Sequence, residues 1–568
     1  MLKENLIKIY EENFRANSNL YALSDYFKKN DTFTYLEMAR EIAKLHLLFD
    51  KMEIKHGDKI ALIGRNNPRW CISYLATITY GAIIVPILQD FNANDVINII
   101  NHSESRMIFL GDNFWDVMEE NQIPMIELAI SLTDFSVKYE RGENGYTQLQ
   151  EESDSMLNAK YENGFGVTDI SYRDVPNDAP CLLNYTSGTT GSSKGVILTI
   201  NNLTGNVTAV WDYIDKNTGK LYFMREGRVL SFLPLAHAYG CTFDFLAQLA
   251  VGAHITLLGR MPTPKILLEA MSRVKPTLIC CVPMVLEKVY RKQIMPLLEQ
   301  SAMSIAMKIP LLNTAIYTVI KSKLIDAFGG EVALFVVGGA AMNHETESFL
   351  TKIGFPLTVG YGMTECAPLI SFSPNDEFKL GSCGKVITKN LEVKILSSDP
   401  QNIPGEILVR GEHVMVGYYK NDEATSSVLD VDGWLHTGDL GVIDTDDTLY
   451  IKGRCKTMIL SGSGQNIFPE QIEDKLNNMY LVGESLIIDN GGKLGALVVP
   501  DFDLAQNNGV SNEELKVVME KNLKELNTLV ASYEKVATIT IYPTEFIKTP
   551  KKSIKRYLYD PTLLTSYK

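Results

Sequence analysis

From Tyr185 to Gly195 the chain reads Y-T-S-G-T-T-G-S-S-K-G, hydroxyls interleaved with glycines and a single lysine near the end. Glycines let the backbone approach a ligand and turn its N–H groups inward, hydroxyls add donors, and Lys194 adds positive charge. Thr186, Ser187, Gly188, Thr189, Thr190 and Lys194 therefore describe a phosphate grip. A Walker loop would place glycine directly before the lysine and Ser or Thr directly after it, whereas Ser193 and Gly195 flank Lys194. A flexible linker is the bland alternative, but linkers rarely sit between two apolar runs, here Cys181 to Tyr185 and Val196 to Ile200.

Further on, Gly360-Tyr361-Gly362-Met363-Thr364-Glu365 follows a short apolar run and presents an aromatic ring, a hydroxyl and a carboxylate together. Tyr361 can stack on a purine, Thr364 can bond a phosphate, and Glu365 can hold Mg²⁺, which is commonly bound by one or two carboxylates plus substrate phosphates. Gly338-Gly339-Ala340 ends another apolar run and offers backbone groups with little side-chain bulk. In D-G-W-L-H-T-G-D-L-G-V-I-D-T-D-D-T-L-Y-I-K-G-R-C-K, from Asp432 to Lys456, Asp439 and Arg454 stand out. A carboxylate after a Thr-Gly turn can bind a ribose diol, and an arginine can neutralise phosphate or bond the same sugar; a plain surface salt bridge is the competing reading.

Several strand-then-helix units would carry these loops: Lys59 to Ile63 then Pro68 to Tyr80, Val229 to Phe232 then Tyr239 to Leu249, Thr277 to Val282 then Val285 to Lys292, and Val332 to Val337 then Asn343 to Ile353. Apolar runs alternating with helical patterns predict an α/β fold of largely parallel sheets covered by helices. Arg141 to Asp178 is acidic and aperiodic, which predicts a surface connection without a core. After Arg454 a Gly-rich loop, the helix Pro469 to Met479 and the helix Ser511 to Leu526 predict a small C-terminal α+β domain. The expected division is 1–455 and 456–568.

The 568 residues exceed one hydrophobic core, and 45% hydrophobic with 21% charged residues is an ordinary globular composition. A net charge of -14 argues against nucleic acid as a partner. The eight cysteines form no C-x-x-C pair, so neither a zinc pattern nor a disulfide framework is expected. With no signal peptide in Met1 to Phe14, the expected location is cytoplasmic. Cys71 to Leu88 carries no charge, but Gly81 and Pro86 divide it into a helix from Pro68, a stop and a strand from Ile83 rather than a membrane span.

Taken together, these motifs resemble in order and approximate spacing the adenylate-forming superfamily of acyl-CoA synthetases, adenylation domains and firefly luciferase, over about Thr32 to Tyr557. The resemblance implies that a carboxylate attacks the α-phosphate of ATP, releasing pyrophosphate, and that a thiol then attacks the acyl-adenylate. It implies that Thr186 to Thr190 hold the ATP phosphates, that Gly338, Gly339, Ala340 and Tyr361, with Gly362 beside it, hold adenine, that Thr364 touches the α-phosphate and Glu365 the Mg²⁺, and that Asp439 and Arg454 hold ribose. It also implies a hinge at Lys456, about which the small domain turns between the two steps and brings the Ser461–Gly464 loop to the thiol tunnel. Leu233 to His237 and Val282 to Tyr290 look like the long-chain fatty acyl-CoA synthetase branch, with His237 either gating an acyl tunnel or packing as a core histidine, and 291–327 is an insert that can bury an acyl tail, touch a membrane peripherally or simply pack as a helical hairpin.

One position breaks the family pattern. The lysine expected three residues before an arginine is Ser553 in T-P-K-K-S-I-K-R, so Lys551 or Lys552 is the candidate substitute. In an extended strand Lys551 and Lys555 would share a face with Ser553. Three functions fit: a ligase joining a medium- or long-chain fatty acid to coenzyme A, transfer of the same adenylate to an acyl carrier protein, and a catalytically weakened binder of nucleotide and fatty acid.

Overall fold

The computed structural model describes residues 1–116, 118–186, 193–216, 226–259, 262–298, 300–461, 465–549 and 553–566. It divides into two compact units: Met1–Met342 with Ser348–Glu392 and Val409–Leu435, and Asn343–Glu347 with Val393–Leu408 and His436–Lys568.

In the first unit, apolar β-branched runs fold as neighbouring strands of two large sheets. One has seven strands in the order Leu357–Val359, Leu334–Val337, Leu278–Cys281, Arg228–Ser231, His254–Leu257, Tyr21–Asp25, Thr32–Thr34. All its pairings are parallel except that of the Thr32–Thr34 edge strand. The other has eight, in the order Gly417–Tyr418, Lys194–Thr199, Pro180–Thr186, Ile83–Ile87, Lys59–Ile63, Ser105–Leu110, Leu128–Ser131, Val137–Glu140, with a parallel centre and antiparallel edges. Helices cover them, giving the parallel-rich α/β fold the alternating pattern predicts.

The uncharged stretch after Asn67 shows how local sequence sets an element. Asn67 accepts the Trp70 N–H, Pro68 opens the helix Pro68–Tyr80, and Gly81 ends it at φ 93, a conformation glycine adopts without strain. The strand Ile83–Ile87 follows. Among the described residues no helix is long and apolar enough to cross a membrane.

Arg141 to Asp178 is not the coreless connection its composition suggests. It contains helices Tyr146–Glu151 and Ser153–Lys160, buries Leu149, Leu157, Ile170 and Val175, and pairs Asp154 with Arg40 and Lys44. Asp154 finds two cations on the helix Tyr35–Lys51, and the segment packs against that helix although it has little periodicity of its own.

The second unit holds most of a four-stranded sheet, Leu391–Leu396, Gly405–Gly411, Leu435–Ile443 and Leu449–Arg454. A separate sheet pairs Val482–Asp489 antiparallel with Leu494–Pro500, itself parallel to Val536–Ile541. Ile472 and Leu476 of the helix Pro469–Asn477, and Leu515, Met519 and Leu526 of Asn512–Leu529, pack on one face of that sheet; Phe546, Tyr559 and Leu564 pack with Leu486, Leu497 and Val499 in a separate cluster. Ser511 and Glu514 form a capping box that fixes the start of the longer helix.

Candidate active site

Two of the predicted loops meet because the strands that deliver them are neighbours. Leu334–Val337 lies parallel between Leu278–Cys281 and Leu357–Val359, so all three end at the same sheet edge. Gly338 donates its N–H to Cys281 O at 3.1 Å, and Gly360 donates to Val337 O at 2.9 Å, which ties Gly338–Ala340 to the turn beginning at Gly360. A Cβ at Gly338 would stand 3.2 Å from the Tyr239 ring, whose hydroxyl donates to Val336 O at 2.9 Å. Gly339, at φ +84, turns the chain away from the sheet.

Tyr361 is buried in the two-residue strand Tyr361–Gly362, antiparallel to Leu369–Phe372. A Cβ at Gly362 would lie 2.2 Å from Pro368 O, so no side chain fits without moving the backbone. Met363 donates to Pro368 O at 2.9 Å and closes the turn that presents Thr364 and Glu365. Thr364 is buried and Glu365 half-buried at the start of the short helical turn Thr364–Cys366.

Glu365 is held at both ends. Its Oε1 accepts the Tyr418 hydroxyl at 2.9 Å, and its backbone carbonyl accepts the Met415 N–H at 2.9 Å. Among the described residues no group of three His, Cys, Asp or Glu could hold a metal ion. A Mg²⁺ arriving on a triphosphate needs only one or two protein carboxylates, and Glu365 beside the Thr364 hydroxyl fits that limited demand.

Thr186 and Lys194 face each other across the hairpin of Pro180–Thr186 and Lys194–Thr199. The Lys194 ammonium lies 4.9 Å from the centre of the Tyr418 ring. Ser187, Gly188, Thr189 and Thr190 lie outside the described residues. His237 is half-buried, and its Nδ1 accepts the Tyr239 N–H at 3.3 Å, capping the helical run from Ala238 to Leu249. Asn184 Nδ2 donates to Ala236 O at 3.3 Å and links the strand before the phosphate loop to the His237 turn.

The middle of that helical run, Cys241–Leu246, is wound as a π-helix, a departure often found at functional sites. Asp244 on it is fully buried, and burial pushes its pKa up to about 8, partly offset by the neighbouring Cys280 and Ser231 side chains.

Asp439 and Arg454 belong to the second unit, where the strands Leu435–Ile443 and Leu449–Arg454 set them opposite each other. Arg454 Nε and Asp439 Oδ1 are 3.0 Å apart; Asp439 is buried and Arg454 exposed. Lys456 is exposed in the turn that follows, closed by the Met458 N–H to Arg454 O bond of 3.0 Å.

Thr549 donates to Ser553 O at 2.8 Å, Ser553 donates to Thr549 Oγ1 at 3.3 Å, and Lys548 pairs with Ile554. The expected face shared by Lys551, Ser553 and Lys555 involves residues outside those described. Lys551 and Lys552 lie outside the described residues, as do Gly462, Ser463 and Gly464.

Tyr239 and Tyr418 were not singled out from the sequence. Tyr239 lies two residues beyond His237, which was a usable signal; Tyr418, in V-G-Y-Y-K, carries none without its partner 53 residues away.

An AMP-binding enzyme family model matches residues 10–419. The long-chain-fatty-acid–CoA ligase FadD15 of Mycobacterium bovis is 27% identical over 571 residues, covering 92% of this chain and 89% of its own. The 4-coumarate–CoA ligase CCL1 of Humulus lupulus is 28% identical, covering 94% and 90%. The crystal structure of ATP-bound MatB from Rhodopseudomonas palustris superposes with a TM-score of 0.75 at 20% identity over 100% of both chains, a likeness of fold. With most of its length matched by one family model and its strand-end loops arranged as described, the chain belongs to the AMP-binding enzyme family.

Proposed function

We propose that this protein is an acid–CoA ligase that adenylates a medium- or long-chain fatty acid with ATP and passes the acyl group to coenzyme A. The observation that carries the reading is the convergence of Gly338–Ala340 and the Tyr361–Glu365 turn at one sheet edge, with Glu365 clamped in place. Adenine lies against the glycines and Tyr361, Thr364 donates to the α-phosphate, and Thr186 to Thr190 with Lys194 grip the outer phosphates. Glu365 would hold a Mg²⁺, which would supply charge neutralisation on the triphosphate. Asp439 and Arg454 hold the ribose hydroxyls, and Lys551 or Lys552 supplies the charge that Ser553 cannot. The substrate carboxylate oxygen forms a bond to the α-phosphorus as the bond to pyrophosphate breaks; the thiol sulfur then bonds to the acyl carbon and AMP departs. Catalysis of this kind is positioning and charge neutralisation. Between the two steps the part of the chain after Lys456 turns about that residue.

The fatty acid is favoured by the resemblance at Leu233–His237 and Val282–Tyr290, with His237 gating the acyl tunnel, and by the partly buried apolar side chains of Tyr239, Phe243, Val282, Val285 and Val336 near the sheet edge. Exposed Ile305, Ile309, Leu312 and Val319 on the insert suit a peripheral contact with the inner face of the membrane in a cytoplasmic protein. Incubation with ATP, Mg²⁺, coenzyme A and a chain-length series of fatty acids, with 4-coumarate alongside, tests the substrate. Fatty acyl-CoA formation supports the reading, and turnover of the aromatic acid alone contradicts it.

A second reading follows from Ser553: a protein that binds ATP and acid but hardly reacts them. Tight ATP binding without acid-dependent pyrophosphate release identifies it. Transfer to an acyl carrier protein is distinguished by acyl loading of a phosphopantetheinylated carrier where free coenzyme A gives no thioester.

A further inference from the structure

Residues 415–419 join the two halves of the proposed nucleotide site. On one side Val416 donates to Ile197 O at 3.1 Å and Tyr419 to Gly195 O at 2.8 Å, with Gly417 opposite Ile197 and Tyr418 opposite Val196, so the segment is an added strand beside the one that leaves the phosphate loop. On the other side Met415 donates to the Glu365 carbonyl and Tyr418 to the Glu365 carboxylate, both at 2.9 Å. Tyr418 touches both halves through one side chain: its ring faces the Lys194 ammonium at 4.9 Å, and its hydroxyl meets Glu365 Oε1. Tyr418 is 8% exposed, and its backbone N–H donates to Thr425 Oγ1 at 2.9 Å, which anchors the main chain that carries the ring.

We propose that Tyr418 is a positioning residue that sets the Glu365 carboxylate and the Lys194 ammonium in one register for a magnesium–triphosphate. The Tyr418 phenol donates its hydrogen bond to Glu365 Oε1 at 2.9 Å. A donor on Oε1 fixes the carboxylate's rotation and leaves Oε2 for the cation, while the ring attracts the ammonium through its quadrupole. Both effects are gained before the nucleotide arrives, which lowers the ordering cost of binding it. The inference rests on the proposed reading of this edge as an ATP site.

The test is calorimetric ATP binding to full-length wild type, Tyr418→Phe and Tyr418→Leu, once with Mg²⁺ and once with EDTA, without acid or coenzyme A. Phe keeps the ring and its packing and loses only the hydroxyl. The expected result for Tyr418→Phe is about tenfold weaker binding with Mg²⁺, the scale of one lost charge-assisted hydrogen bond, and unchanged binding in EDTA. Tyr418→Leu, which also loses the ring over Lys194, weakens both. A purely structural role would lower the thermal midpoint of the apoprotein and weaken binding equally in the two buffers. That outcome overturns the proposal, as does a Tyr418→Phe protein whose magnesium dependence matches the wild type. Wild type that binds no ATP in either buffer overturns the underlying site reading, and the inference with it.

Discussion

Glu365 is the residue on which the proposed chemistry concentrates. Its carboxylate accepts the Tyr418 hydroxyl and its backbone carbonyl accepts the Met415 N–H, so one segment holds both the side chain and the main chain. Glu365→Gln keeps the shape and removes the charge, so acid-dependent ATP–pyrophosphate exchange is expected to fall about 100-fold or more; exchange within a few-fold of wild type would remove Glu365 from the metal role. The Asp439–Arg454 pair poses the opposite problem, because its exposed arginine is screened by water and an ion pair to such a side chain contributes only about 0.2–1 kcal/mol. Arg454→Ala should therefore leave the thermal midpoint nearly unchanged while raising KM for ATP about tenfold, and an unchanged KM would reduce the pair to a surface salt bridge. Asp244 makes a prediction in pH. Its folded pKa of about 8 lies above the ordinary 3.8, so the stability it contributes is full below that ordinary value and is lost as pH rises through about 8. The buried His46 and His413, lowered from 6.5 to about 4, act in reverse: their contribution is full above 6.5 and is lost as pH falls toward 4. Thermal midpoints measured across pH 4 to 8 should show that Asp244→Asn removes part of the decline on the alkaline side; the same slope in both proteins would contradict the assignment. Chemistry-bearing residues with local context, such as Thr364-Glu365 after a glycine turn, could be read from the sequence. Tyr418 could not, because its meaning depends on which strand it pairs with and which carboxylate it reaches.

At the scale of elements, the turn from Gly360 to Cys366 is a rigid presenter. Gly362→Ala would force a methyl into the space 2.2 Å from Pro368 O, so the turn must open and Thr364 and Glu365 must shift. The expected outcome is a large loss of nucleotide affinity accompanied by destabilisation, read by ATP binding and thermal unfolding together; near-normal binding would mean the turn does not position the site. Elements marked by caps and stops were legible: Asn67, Pro68 and Gly81 bound one helix, and Ser511 with Glu514 begins another. Two others were not. The 141–178 segment packs its helices against the helix Tyr35–Lys51, and the placement of Ser553 depends on the Lys548–Ile554 pairing. Both are set by partners elsewhere in the chain, which composition and periodicity do not record.

For the whole molecule, an acidic chain with net charge -14 needs local positive charge to bind a triphosphate, and Lys194, against the Tyr418 ring that also reaches Glu365, is one such charge. The same net charge works against docking on anionic lipid, so any membrane contact of the insert must be apolar. Its binding to neutral phosphatidylcholine vesicles should fall on Ile305→Ser/Ile309→Ser substitution and change little with salt, whereas strong salt dependence would contradict an apolar contact. The alternation of strands and helices made the α/β architecture predictable, while the identity of the acid depends on the depth and shape of a pocket assembled from many distant residues. The most direct test of the central claim is ATP–pyrophosphate exchange driven by a chain-length series of fatty acids, on wild type and on Lys551→Ala, Lys552→Ala and Ser553→Lys, with thioester formation followed in parallel. The account predicts robust fatty-acid-dependent exchange in the wild type that is lost in one of the two lysine variants. No exchange in the wild type with any acid, restored by Ser553→Lys, would contradict it.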